Sequence, residues 1–308
     1  MKKYYLSFAL IVAIMGTALA QRTPQPSPAA SIMQTVGVTD FTVTYSRPSA
    51  KGRTIYGDST AVVSYGRTWR TGANAATTLE ASTDFMFGGK KVPAGKYSLF
   101  SIPQGGQWTV ILNKDTKASE NSYKESGDAI RVMAMPASSP EFMESFTIGF
   151  SDVTDSTAHM NIGWGPVNVP VPIEVMTTDI TMAAMNKAVM EKPEDANTLQ
   201  NAAGYMLSKG KNLSQALAMA DKAIGLKETF RNVWLKAQIL AKMGKVAEAV
   251  PLAQKALAMG KSSGDSAFSF MGPQIESGLK GMQAMLPAGA DAASGMMDKM
   301  KGKKGRKK

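Results

Sequence analysis

The chain has 308 residues, a formal net charge of +11 and no cysteine. Without cysteine it has neither disulfides nor a Cys-linked lipid anchor, so its stability rests on buried apolar surface. The charge resembles a nucleic-acid signal, but its distribution excludes that reading. Lys2 and Lys3 belong to a leader, and seven cations crowd residues 299–308. What lies between carries about +2, and no specific nucleic-acid binding is expected of it.

Residues 1–20 read as a secretory signal peptide. Lys2 and Lys3 form the positive start, Tyr4 to Met15 the apolar core, and Ala18-Leu19-Ala20 a small-x-small site with cleavage expected before Gln21. The expected location is therefore the periplasm or cell envelope. Residues 21–30 (QRTPQPSPAA) form a Pro- and Ser-rich linker.

Residues 31–176 carry strand signals. Phe41 to Tyr45 alternates with period two, and Trp108 to Leu112 does so less strictly. Thr157 to Trp164 puts Ala158, Met160, Ile162 and Trp164 on one face, with His159 on the polar side. Further strands are expected at 77–82, 96–102, 129–135, 146–152 and 167–176, separated by turn residues such as Gly88-Gly89 and Pro93-Ala94-Gly95. This pattern predicts a β-sandwich or jelly-roll-like domain. Pro166, Pro170 and Pro172 assign the last strand to a sheet edge.

Residues 177–286 change to helical texture. Thr178 or Asp179 caps a helix running into Thr181–Met185, and Pro193 restarts the chain. Ala216, Ala220, Lys222 and Ala223 recur 33 residues later as Ala249, Ala253, Lys255 and Ala256. Ala203 recurs as Ala237, and Gly210 and Gly244 fall where antiparallel helices must turn. The period resembles the tetratricopeptide repeat, with Gln274–Met285 as a capping helix. The fold class expected is thus β + α, a β-domain followed by a short all-α repeat segment. Residues 287–308 are expected to be a disordered basic tail, a candidate for binding anionic surfaces.

One stretch matches a family pattern. It runs through Ser46-Arg47-Pro48-Ser49, Lys51-Gly52-Arg53, Tyr65-Gly66-Arg67-Thr68-Trp69-Arg70-Thr71-Gly72-Ala73-Asn74, Pro93 to Phe100 and Trp108 to Asn113. It resembles the exported bacterial domain-of-unknown-function 2911 family, whose members often look like a β-domain alone or one followed by helical repeats. The resemblance implies no established activity. It implies an acidic residue after Asn74, where this chain has Ala75.

Catalytic constellations are sparse. His159 is the one histidine, and no nucleophile elbow, phosphate loop or dinucleotide fingerprint occurs. No metal ligand set and no cofactor is expected. The segment 45–75 stands out, because Arg47, Lys51, Arg53, Arg67 and Arg70 interleave with Tyr45, Tyr56, Tyr65 and Trp69 against a single acid, Asp58. The candidate ligand-binding residues are Arg47, Arg53, Trp69, Arg70, Asn74 and Tyr97. Two readings stay open: a pocket for an acidic ligand, sugar or peptide carboxylate, or arginines that tie loops down by bonding carbonyls and carboxylates. Arg70 is expected to act structurally and Arg47 to be the more available to a ligand. The functional expectation is an envelope binding or scaffold protein with a protein or envelope-component partner; the alternative is a carbohydrate- or envelope-acting hydrolase using unidentified carboxylates.

Overall fold

The computed structural model describes residues 23–286; residues 1–22, with the expected signal peptide, and 287–308, the expected basic tail, lie outside the described residues. The chain divides after Thr177 into a β-unit and a helical unit.

The β-unit holds twelve strands: β1 (Ala29–Val36), β2 (Thr39–Ser46), β3 (Tyr56–Gly57), β4 (Val63–Ser64), β5 (Thr78–Ala81), β6 (Phe85–Phe87), β7 (Lys90–Val92), β8 (Gly95–Ile102), β9 (Trp108–Asn113), β10 (Asp128–Ala134), β11 (Ala137–Ser151) and β12 (Thr157–Val175). A six-stranded sheet runs β1-β2-β5-β8-β9-β10 and a four-stranded sheet runs β11-β12-β6-β7, both antiparallel; β3 and β4 form a short parallel pair.

Period-two patterning explains how the sheets meet. In β2, Phe41, Val43 and Tyr45 are buried while Thr42 and Thr44 face outward. The rings cross to the other sheet: Phe41 packs edge-on against Phe85 at 5.2 Å and Tyr45 against Phe146 at 5.7 Å. One core thus draws on both sheets. Each fully buried Phe or Leu contributes about 1.5–3 kcal/mol.

Two features differ from the sequence reading. β1 begins at Ala29, inside the expected linker, and pairs along its whole length with β2. The expected strands at 157–164 and 167–176 are one strand, and it is interior, not an edge. Its prolines are tolerated because the two neighbours bind different stretches: β11 pairs with residues 159–168 and β6 with 173–175. Pro166 falls in a register shift opposite β11, Pro170 lies between the paired stretches, and Pro172 uses only its carbonyl, which accepts from Gly88 N–H at 2.8 Å.

The helical unit comprises α1 (Thr177–Glu191), α2 (Ala196–Lys209), α3 (Leu213–Leu226), α4 (Phe230–Lys242), α5 (Val246–Ser262) and α6 (Phe268–Ala284). Expected strands thus give way to helices, the β-then-α order read from the sequence. Asp195 caps α2 through the N–H groups of Asn197 and Thr198, and Gly210 closes it in the left-handed conformation. Thr229 and Asn232 form a reciprocal capping box on α4. The recurring alanines, Ala203, Ala216, Ala220, Ala223, Ala237, Ala249, Ala253 and Ala256, are fully buried. They lie where α2 packs on α3 and α4 on α5, and small side chains let those backbones approach.

Candidate functional site

A cavity of about 610 Å³ opens in the β-unit, lined from five chain segments, one of them Val62 before β4, and one strand. Pro26 and Ser27 precede β1, Pro48 to Arg53 follow β2, Trp69 to Asn74 precede β5, Glu120 lies between β9 and β10, and Trp164 comes from β12.

Two indoles make its floor. Trp69 is 7% and Trp164 1% exposed, and their rings stack at 6.1 Å with 20° between planes. Trp69 is pinned by a two-way backbone bridge to Ser101 on β8 and by its indole N–H, which donates to Gly72 O at 3.1 Å. The Trp164 indole donates to Glu144 O at 3.2 Å. Tyr56 sits edge-on to Trp69, Trp108 and Trp164; burial, and then Tyr65, push its hydroxyl far above the usual tyrosine range.

The chain bends sharply beside this floor. Thr71 has φ 52 and Asn74 φ 59, and Gly72 between them has φ 152. A β-branched residue in the left-handed region is strained. Thr71 is held there by its hydroxyl pairing with Ser101 Oγ at 2.9 Å and by Thr77 Oγ1 donating to its carbonyl at 2.8 Å. At Gly72 a Cβ would meet Thr77 Oγ1 at 2.8 Å.

The six nominated residues separate here. Arg53, Trp69, Arg70 and Asn74 line the cavity; Arg47 and Tyr97 do not. Arg47 donates from Nε to Phe146 O at 3.0 Å and from Nη2 to Thr147 Oγ1 at 2.8 Å, joining the loop after β2 to β11. Tyr97 is buried on β8 with its hydroxyl donating to Pro93 O at 2.9 Å; burial, and secondly Asp84, raise its pKa. Asn74 Nδ2 donates to Ser27 O at 2.9 Å, fastening the segment before β1 as a wall of the cavity.

The charges fall at two places. Arg70 Nη2 meets Glu120 Oε2 at 2.9 Å, and Arg70 N–H donates to Glu120 Oε1 at 3.2 Å. The hydrogen bond to Glu120 raises the Arg70 pKa against the opposing effect of burial. Burial pushes the Glu120 carboxyl up, yet the bonds from Arg70 and its charge together hold it below the usual carboxylate range. The other place is the turn Ala50–Arg53, closed by Arg53 N–H donating to Ala50 O at 3.0 Å. Its central residues, Lys51 (φ 50) and Gly52 (φ 72), have the φ signature of a type I′ turn. Arg53 donates to two neutral acceptors, Ala50 O at 3.0 Å and Ser49 O at 2.6 Å. Among the described residues, neither Lys51 nor Arg53 has a carboxylate within ion-pair distance of its side chain, although Glu144 accepts from the Lys51 backbone at 2.8 Å.

Glu120, Trp164, Lys51 and Ser27 were not nominated from the sequence. Lys51 was visible in the basic segment. Glu120 and Trp164 carry no local signal, because tertiary folding alone brings them to residues 49–74. Elsewhere, His159 Nδ1 lies 3.1 Å from Asp152 Oδ2 on an exposed face. Among the described residues no group of three or more His, Cys, Asp or Glu is placed to hold a metal, and no helix is long and apolar enough to cross a membrane. The helical unit has its own groove of about 720 Å³, where Gln200, Asn201, Tyr205, Arg231, Trp234 and Gln274 contribute to the lining.

No curated protein matches the chain. Residues 27–173, nearly the whole β-unit with its cavity, match the model of the family described as Protein of unknown function (DUF2911), and the β-unit is similar to that family.

Proposed function

We propose that this chain is an exported cell-envelope protein that binds rather than catalyses, with the β-unit as recognition module and the helical unit, tetratricopeptide-like, as a surface for a protein partner. The observation that carries the reading is the cavity: a buried indole floor beside two cations, Lys51 and Arg53, whose side chains have no carboxylate within ion-pair distance among the described residues. Cations without an ion-pair partner beside low-dielectric walls attract an anionic group more strongly than they would in open water. A few polar side chains, here Lys51, Arg53, Arg70, Asn74 and Glu120, over an apolar base are also the usual makeup of a ligand pocket of this size. The hydrolase reading finds less support, since paired-carboxylate chemistry needs a second acid. Glu120 is the one carboxylate among the lining residues, and Arg70 keeps it ionised.

Export rests on the leader of residues 1–20, and an envelope partner follows from it; the basic tail adds a means of holding an anionic surface. Intact mass of envelope-recovered protein is expected to begin at Gln21, and a retained Met1 would refute export by cleavage.

Ligand binding is tested with N-acetyl-trialanine, a monoanionic peptide. Heteronuclear NMR of the mature chain is expected to show shifts at the Trp69 and Trp164 indole N–H signals, weakened at least tenfold in affinity by the K51Q/R53Q pair. No shift at either indole, or shifts indifferent to K51Q/R53Q, would sink the reading.

A further inference from the structure

The geometry points to a ligand with one acidic group and, away from it, a hydrogen-bond donor of hydroxyl or ammonium type, and to Glu120 as the residue that selects against a second acidic group. The inference rests on the ligand-binding reading above and deepens it.

The cavity's two charged places are not equivalent. Arg70 is already used: its side chain and its own backbone N–H each take one oxygen of Glu120. The protein's own loop thereby fills the seat that a ligand carboxylate would take on Arg70. That loop is anchored. Ala118 is buried in a small apolar cluster with Phe100 and Ile111, and Tyr123 packs on Phe100 at 4.9 Å. Ser98 Oγ also donates to Asp115 O at 2.8 Å. Glu120 is therefore held in place, not resting on the cavity by chance.

An ionised carboxylate offers about four lone-pair sites, and Arg70 takes two of them. Glu120 and Arg70 keep about a third of their side-chain surface exposed, at 32% and 28%. The remaining lone pairs accept a donor, while their charge repels a second carboxylate. The Ala50–Arg53 turn is the converse. Arg53 is oriented by two carbonyls that leave its charge uncancelled, and Lys51 stands two residues away across a tight turn. It takes the acid. Both places line the same cavity, so one ligand can reach both. Asn74, tied to Ser27, lines the same cavity. A short peptide or amino-acid derivative with free termini has this chemistry.

The experiment compares trialanine with N-succinyl-trialanine, in which a carboxylate replaces the ammonium group. Both are titrated into the mature full chain, read by the Trp69 and Trp164 indole signals. Wild type is expected to bind trialanine at least fivefold more tightly than the succinyl form. E120Q is expected to erase or reverse that preference while keeping the K51Q/R53Q sensitivity of both probes. Equal affinities in wild type, or a preference that survives E120Q, would overturn the inference and leave the binding reading intact. Failure of both probes and of N-acetyl-trialanine would remove the binding reading itself. E120D keeps the charge and serves as the control for a disturbed loop: its preference for trialanine is expected to persist, and loss of that preference in E120D would overturn the inference.

Discussion

At the residue scale, the arginines of one loop-rich segment have divided roles. Arg47 knits β11 to the loop after β2, whereas Arg53 bonds only to its own turn and faces the cavity. Arg47→Ala strands two partly buried acceptors and is expected to cost about 1–3 kcal/mol. It should leave probe affinity unchanged. Arg53→Ala is expected to change stability by no more than about 0.5 kcal/mol and to weaken anion binding. Thermal melts paired with the NMR titration read both effects, and a stable Arg47→Ala chain that no longer binds would reverse the assignment. Glu120 adds a pH dependence. Its folded pKa is depressed below the ordinary 4.5, so the unfolded chain takes up the proton first as pH falls. The contribution is complete above about pH 4.5 and is lost as pH falls through the lower folded value. For a pair partly open to solvent it amounts to about 1 kcal/mol at most. In urea melts between pH 6 and pH 3, E120Q should flatten that part of the decline. The sequence made Arg53, Trp69, Arg70 and Asn74 visible because cations, rings and turn formers cluster there. It could not separate Arg47 from Arg53, since what decides between them is an acceptor on β11 about 100 residues away. Glu120 was hidden for the same reason, meeting Arg70 across 50 residues.

At the element scale, strands with one buried face were the most legible. Phe41–Tyr45 falls inside β2, because burying one face of a sheet enforces a period of two; Lys96–Ile102 falls inside β8, which is buried on both faces and was legible from the turn residues on either side of it. Three-residue strands such as β6 and β7 are too short to show a period, and only their Gly88-Gly89 turn could be read. β12 misled for a different reason: prolines argue against a central strand only when both sides of the backbone must pair at the same residue. The helices were visible through small residues at fixed spacing, and these are buried where neighbouring helices meet. Their ends are set by caps. Thr229→Ala removes one half of the α4 capping box and is expected to cost about 1 kcal/mol. Urea denaturation followed by Trp234 fluorescence measures this, and an unchanged midpoint would show that packing alone fixes the start of α4.

At the scale of the whole molecule, the two units have separate cores. The β-unit's main core draws on residues between Val36 and Val175, with a small cluster of Phe100, Ile111 and Ala118; the helical unit's clusters begin at Met182. Residues 21–177 and 178–286, expressed as separate chains, are each expected to fold with a cooperative melt, and loss of cooperativity in either piece would show that the units depend on one another. The pairing of β6 with β12 also governs the order in which the molecule is made. The six-stranded sheet joins strands near in sequence, such as β1 with β2 and β8 with β9, but β6 pairs Phe85 with Val175. The four-stranded sheet therefore waits, its Phe85 and Phe87 uncovered, until almost the last residue of the unit has left the ribosome. Loop closure of that span makes formation slow, while a helical array assembles from local contacts. Refolding from urea should thus be biphasic by tryptophan fluorescence: a fast phase from Trp234, and a phase at least tenfold slower from Trp69, Trp108 and Trp164. An unfolded-chain chaperone would find its longest-lived target in the hairpin of β6 and β7.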